Sequence, residues 1–170
     1  MEQFSQEFYN EFRSIIESED KERALEILND MHPADIAALY EELDINEAEF
    51  LYLLLDADKA ADVLLELDED DRRKLLERMP VDVIAKQFID HMETDDAVDV
   101  MRDLDEDVQE EILSHIDDVE QAGDIIDLLK YDEDTAGGIM GKEMIVVNQE
   151  WSMPECIKQM RMQAEEIDEL

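Results

Sequence analysis

The chain has 170 residues and carries 51 acidic against 14 basic side chains, a net charge of −37 at pH 7. Hydrophobic residues still make up 45 % of it, too many for an acidic disordered tail, so a buried core is expected. The charge argues against nucleic acid and anionic membrane surfaces as partners, because it repels phosphate, and favours cations or a basic protein face.

The longest apolar run, Phe50-Leu51-Tyr52-Leu53-Leu54-Leu55, is far short of the ~18–20 residues that a membrane helix needs. Met1-Glu2-Gln3-Phe4 has neither the basic nor the apolar part of a secretion signal. A single cysteine, Cys156, precludes an internal disulfide and fits a reducing compartment. A cytosolic chain is expected. With four glycines and three prolines, turns should be short and helices should dominate.

Along the chain, Ile36, Leu39, Tyr40 and Leu43 follow the i, i+3, i+4, i+7 pattern of one helix face. So do Ala60, Val63, Leu64 and Leu67, and again Ala97, Val100, Met101 and Leu104. Pro33 and Pro80 stand as first-turn prolines opening helices. Acidic clusters such as Asp68-Glu69-Asp70-Asp71 and Asp105-Glu106-Asp107 fall between the stripes, where carboxylates favour the N-termini of the following helices.

The stripes are also a repeat. Asp58–Met79 aligns without a gap onto Asp95–Ile116 at an offset of 37, with Asp58/Asp95, Ala60/Ala97, Asp62/Asp99, Val63/Val100, Leu67/Leu104 and Asp68/Asp105 among the identities. A weaker copy spans His32–Leu55 and sets Glu42-Leu43-Asp44 against Glu66-Leu67-Asp68. Each copy predicts a helix, an acidic turn and a second helix. Such units cannot bury their apolar faces alone, so they stack into an α-solenoid whose hand the residues leave open.

After Lys130 the texture changes. Residues 131–143 hold three of the four glycines and read as a linker. Met144-Ile145-Val146-Val147 is β-prone, and Ser152-Met153-Pro154-Glu155 predicts a capping box ahead of a helix over Cys156–Glu166. One strand and one helix are not a domain, so the chain is expected to stop inside a second module.

Catalytic motifs fail. His32, His91 and His115 with one cysteine give no zinc spacing, and there is no phosphate loop or serine elbow, so no enzyme is expected. Asp132 to Glu143 partly imitates a calcium loop, but Ala136 removes the ligand at its fifth position and a β-prone stretch follows. A hinge suits it better.

The strongest signal lies between Asp90 and Asp107, where nine carboxylates face Arg102 alone. Asp95, Asp99 and Asp103 are spaced to share one helix face opposite the apolar stripe, and like charges so placed repel by ~0.2–0.5 kcal/mol per pair. A solvated acidic face is the plain reading. A hard divalent cation would neutralise the ridge; Mg²⁺ keeps much of its water and needs only one or two carboxylates from each surface. Asp62, the repeat equivalent of Asp99, would add a second row one interhelix step away, ~8–10 Å.

His32-Pro33-Ala34-Asp35-Ile36, Lys59-Ala60-Ala61-Asp62-Val63-Leu64 and Tyr131-Asp132-Glu133-Asp134-Thr135-Ala136-Gly137-Gly138-Ile139-Met140 resemble the N-terminal cytosolic region of the MgtE family of magnesium transporters and channels. Gly141-Lys142 departs from the small-polar/Pro sequence usual after that methionine. The resemblance implies an all-α, right-handed superhelical stack of roughly ten short helices (armadillo- or FliG-like) over residues 1–130. It also implies a linker over 131–143 and the first strand and helix of a truncated α/β CBS domain over 144–170. It further implies a homodimer on the cytoplasmic side of the bacterial inner membrane, with CBS and membrane domains as partners. Mg²⁺ is the implied ligand, on Asp62, Asp95, Asp99 and the Gly138 carbonyl, with Asp96 a neighbouring candidate. Its binding would favour a closed pore. Two other readings stand beside it, an acidic scaffold that docks a basic partner without sensing ions and a calcium-regulated module using the Asp132 loop.

Overall fold

The computed structural model describes residues 4–40 and 42–164; Met1, Glu2 and Gln3, read above for a leader, and Glu165 and Glu166, in the last expected helix, lie outside them. The helices are α1 (Gln6–Glu17), α2 (Lys21–Asn29), α3 (Pro33–Tyr40), α4 (Ile45–Tyr52), α5 (Ala57–Leu65), α6 (Glu69–Leu76), α7 (Val81–Gln87), a 3₁₀ turn (Ile89–His91), α8 (Thr94–Arg102), α9 (Glu106–Leu113), α10 (Val119–Leu128) and α11 (Met153–Gln163). Ten of the eleven α-helices precede Lys130, and the described residues contain no strand. The fold is all-α, as the spacing predicts.

The repeat is visible in the helix boundaries. Shifting α5 and α6 by 37 residues gives the bounds of α8 and α9, and shifting α4 by 24 gives those of α6. The buried stripe repeats as well. Ile36, Ala37, Leu39 and Tyr40 in α3 correspond to Ala60, Ala61, Val63 and Leu64 in α5, and to Ala97, Val98, Val100 and Met101 in α8. The same four positions face inward in each copy, and the intervening turn starts the second helix with an aspartate. Asp44 and Asp68 accept hydrogen bonds from backbone N–H groups of the first turns of α4 and α6, and Asp105 takes the same position before α9.

The chain divides into two units. The first comprises the residues up to Met92 together with Asp103–Asp118; within it α3 stacks on α5 and α4 on α6, the pair-on-pair layering of a solenoid, while α5 and α9 each contact α7. Its centre is an aromatic run: Tyr40 lies 4.6 Å from Tyr52, and Tyr52 meets Phe88 edge-on at 5.6 Å. Burial pushes both phenols well above the ordinary tyrosine range. The second unit comprises Glu93–Arg102 and the residues from Val119 on, and in it α8 packs on α10.

The expected strand at Met144–Val147 does not form among the described residues. A strand needs a ladder partner, and none is present; Met144, Val146 and Val147 are exposed. The Gln163 side chain of α11 takes a neighbour's place instead. Its Oε1 accepts from the Val146 N–H at 2.7 Å and its Nε2 donates to the Val146 carbonyl at 2.9 Å. The helix α11 opens three residues earlier than expected, with the Ser152 N–H and hydroxyl donating to Glu155, which holds that carboxyl below its ordinary value.

Two outcomes follow from this packing. Phe88 is fully buried beneath Tyr52, so Phe88→Ala should lower unfolding free energy by about 3–5 kcal/mol in urea titrations followed by circular dichroism. The Asp44 carboxyl is held below the ordinary aspartate value by the backbone N–H groups of Glu47 and Asn46. A lowered folded-state value stabilises the fold above the unfolded value, near pH 4, and that contribution disappears as pH falls through the lower folded one. The stability difference between wild type and Asp44→Ser should therefore be constant above about pH 5 and shift against wild type below about pH 4.

Candidate metal-binding site

The site is built on α8 in the second unit. The three helices that open repeat pairs start differently. Asp56 caps α5 by accepting from the Lys59 N–H at 3.0 Å, and His32 accepts from the Ala34 N–H at 3.3 Å before α3. At the equivalent position before α8 stands Glu93, and a second carboxylate comes from 49 residues downstream. Glu143 accepts from the Thr94 N–H and from the Thr94 hydroxyl, both at 2.9 Å, and from the Lys142 N–H at 3.1 Å. Thr94 is itself buried. The free N–H groups and dipole of a helix N-terminus draw carboxylates, and here they draw several.

Glu93, Asp95 and Glu143 each offer an oxygen within 4.8 Å of the others, and all three are half-buried. Gly141 lies against them; a Cβ there would come within 3.4 Å of both Asp95 Oδ2 and Glu143 Oε2. Asp96 occupies the same first turn of α8. All donors are hard oxygens at spacings that leave room for water, a set that suits Mg²⁺ better than a soft metal.

One turn further on, Asp99 meets the glycine segment through a cation. Arg102 Nη1 donates to Asp99 Oδ1 at 3.0 Å and to the Gly138 carbonyl at 3.1 Å, while Nη2 donates to the Tyr131 carbonyl at 3.2 Å. Gly138 is buried, and its missing side chain matters: a Cβ would collide with the Asp132 carbonyl oxygen and stand 2.8 Å from Glu133 Cα. Lys142 Nζ lies 3.5 Å from Asp124 and 3.8 Å from Asp127 of α10. The Asp127 carboxyl is held low chiefly by Lys130, with Lys142 adding to the effect. The glycine-rich segment is thus hydrogen-bonded to α8 at both of its ends.

Of the residues expected to bind metal, Asp95, Asp96, Asp99 and Gly138 fall in this unit, whereas Asp62 is an exposed residue of α5 in the first unit. The acidic ridge is shorter than its spacing suggests. The helix α8 ends at Arg102, and Asp103 belongs to the first unit, where it pairs with Arg72 at 2.6 Å in a largely buried contact. Sequence reasoning passed over Glu93 and Arg102 as site residues and saw Glu143 only as part of a calcium-loop imitation. The alignment of Glu93 with the capping Asp56 was the available signal; Glu143 had none, because its contact is non-local.

The sequence pattern of the MgtE intracellular N domain matches residues 31–134, and the chain belongs to that family. Two solved structures share the fold. The crystal structure of the soluble part of a magnesium transporter is 25 % identical with a TM-score of 0.78, covering 96 % of this chain and 64 % of that one. The crystal structure of the cytosolic domain of the Mg²⁺ channel MgtE in complex with ATP is 23 % identical with a TM-score of 0.84, covering 94 % and 65 % respectively; that likeness bears on the fold alone. The present chain therefore spans about 64–65 % of the length of these two. Among curated proteins no sequence matches it. No helix of the described residues is long and apolar enough to cross a membrane.

Gly138→Ala should open the turn over 131–138, at a cost of about 1–3 kcal/mol from overpacking. The measurement is backbone hydrogen exchange, which should accelerate in residues 131–143 well before it does in α3–α6.

Proposed function

We propose that this chain is the Mg²⁺-sensing, gate-regulating module of a magnesium transporter or channel. The observation that carries the reading is the gathering of Glu93, Asp95 and Glu143 at the start of α8, in a chain of this family. Asp62, Asp95, Asp96, Asp99 and the Gly138 carbonyl are the proposed Mg²⁺ ligands, with Glu93 and Glu143 beside Asp95 to share the charge of its ion. The partners are CBS and membrane domains of the same polypeptide, in a homodimer at the cytoplasmic face of the bacterial inner membrane. The module conducts nothing itself and catalyses no reaction.

The physical basis is electrostatic. A chain of net charge −37 repels any other acidic surface brought against it. With little Mg²⁺ present, the acidic faces of the N domain and CBS domains stay apart and the pore is free to open. With ample Mg²⁺, hydrated ions between those faces offset the repulsion and favour the closed state. The ion shifts the population only by its differential affinity for the two states.

The test is thermal unfolding across a Mg²⁺ titration at constant ionic strength. One site at a hundredfold excess over its dissociation constant should stabilise the wild type by about 2.7 kcal/mol. Asp95→Asn/Asp99→Asn should remove most of that response. An equal response in the double variant, or one that K⁺ reproduces at matched ionic strength, would refute the sensing role. Retention of a basic partner regardless of Mg²⁺ would then favour the scaffold.

A further inference from the structure

The Asp99–Gly138 contact already holds a cation, and the chain supplies it. Arg102 Nη1 bonds the Asp99 carboxylate and the Gly138 carbonyl together, at 3.0 and 3.1 Å. The same guanidinium binds the Tyr131 carbonyl, so its planar fork closes the turn that carries Gly138 onto the last turn of α8. The Arg102 side chain is only 18 % exposed. No other lysine or arginine lies between Asp90 and Asp107. The earlier repeat lacks this arrangement: the position equivalent to Arg102, three residues after Asp62, is Leu65.

We infer that Arg102 is a tethered counter-cation that competes with divalent ions for the Asp99–Gly138 oxygens, and so sets the Mg²⁺ concentration at which that half of the site fills. The inference rests on the Mg²⁺-sensing reading and deepens it. An ion placed at Nη1 would sit about 1 Å too far from both oxygens for direct ligation, since Mg²⁺ needs roughly 2.0–2.1 Å. Whether the oxygens close in or water fills the gap, the guanidinium must leave first. Hydration favours Arg102, because a released guanidinium regains little water while Mg²⁺ must shed part of a tightly held shell; the double charge of the ion, drawn more strongly to the carboxylate, opposes it.

The experiment is a Mg²⁺ titration of the 170-residue chain, followed by NMR on the backbone amides of Asp95, Asp99 and Gly138. Arg102→Gln, which keeps a hydrogen-bonding side chain without charge, should lower the Mg²⁺ midpoint at Asp99 and Gly138 by about fivefold. Arg102→Lys keeps the charge but loses the fork, so its midpoint should fall between those of wild type and Arg102→Gln. In the unmodified chain, Mg²⁺ should accelerate exchange of the Arg102 guanidinium protons, a readout that needs no variant to fold. The inference is overturned if the wild type responds to Mg²⁺ while Arg102→Gln has the same or a higher midpoint, or if the guanidinium stays protected at saturation; sensing itself survives either result. Absence of any response at Asp95 and Asp99 in both wild type and Arg102→Gln removes the sensing reading, and the competition falls with it.

Discussion

Helices of seven to twelve residues are marginal in water, and everything in this molecule answers to that constraint. Each α-helix from α3 to α9 must take its stability from one narrow buried face and from its ends. Pairs of inward residues, such as Ala60-Ala61 and Val63-Leu64 in α5, provide the face. The ends are held largely by aspartate, because a carboxylate both accepts the free N–H groups and answers the positive end of the helix. A chain built this way becomes acidic for structural reasons before any function is asked of it.

That origin divides the 51 acidic residues into two populations. The carboxylates of Asp44, Asp56 and Asp68 are committed to backbone N–H groups, and an ion that drew them away would unravel a helix start. Asp103 is committed to Arg72. The large net charge therefore overstates the number of groups free to answer a change in ion concentration. The three-carboxylate cluster at α8 differs in kind: it places more acidic oxygens at one helix start than capping requires.

The architecture was legible from sequence because it is periodic and local. Apolar spacing located the pairs, and an offset of 37 carried α5–α6 onto α8–α9 with matching bounds. Non-local features were hidden. Nothing near Glu143 announces that it will cap a helix 49 residues earlier, and nothing near Asp103 announces Arg72. Met144–Val147 illustrates the converse: local preference for extension is genuine there, but a strand is a relation between two segments, and among the described residues Val146 bonds the Gln163 amide instead. The cation on Asp99 was hidden in the same way, since Arg102 reads as an ordinary i+3 partner until the Gly138 carbonyl is seen on its other side.

The borrowed cap on α8 has a consequence for the order in which the molecule assembles. The starts of α4, α5 and α6 are secured by residues of their own turns, so those pairs can form as soon as they leave the ribosome. The start of α8 acquires its bond to Glu143, and its last turn the carbonyls of Tyr131 and Gly138, only once those later residues have been made. A nascent chain that ends before residue 143 carries α8 without this long-range contact, so the helix on which the carboxylates gather is completed late in synthesis.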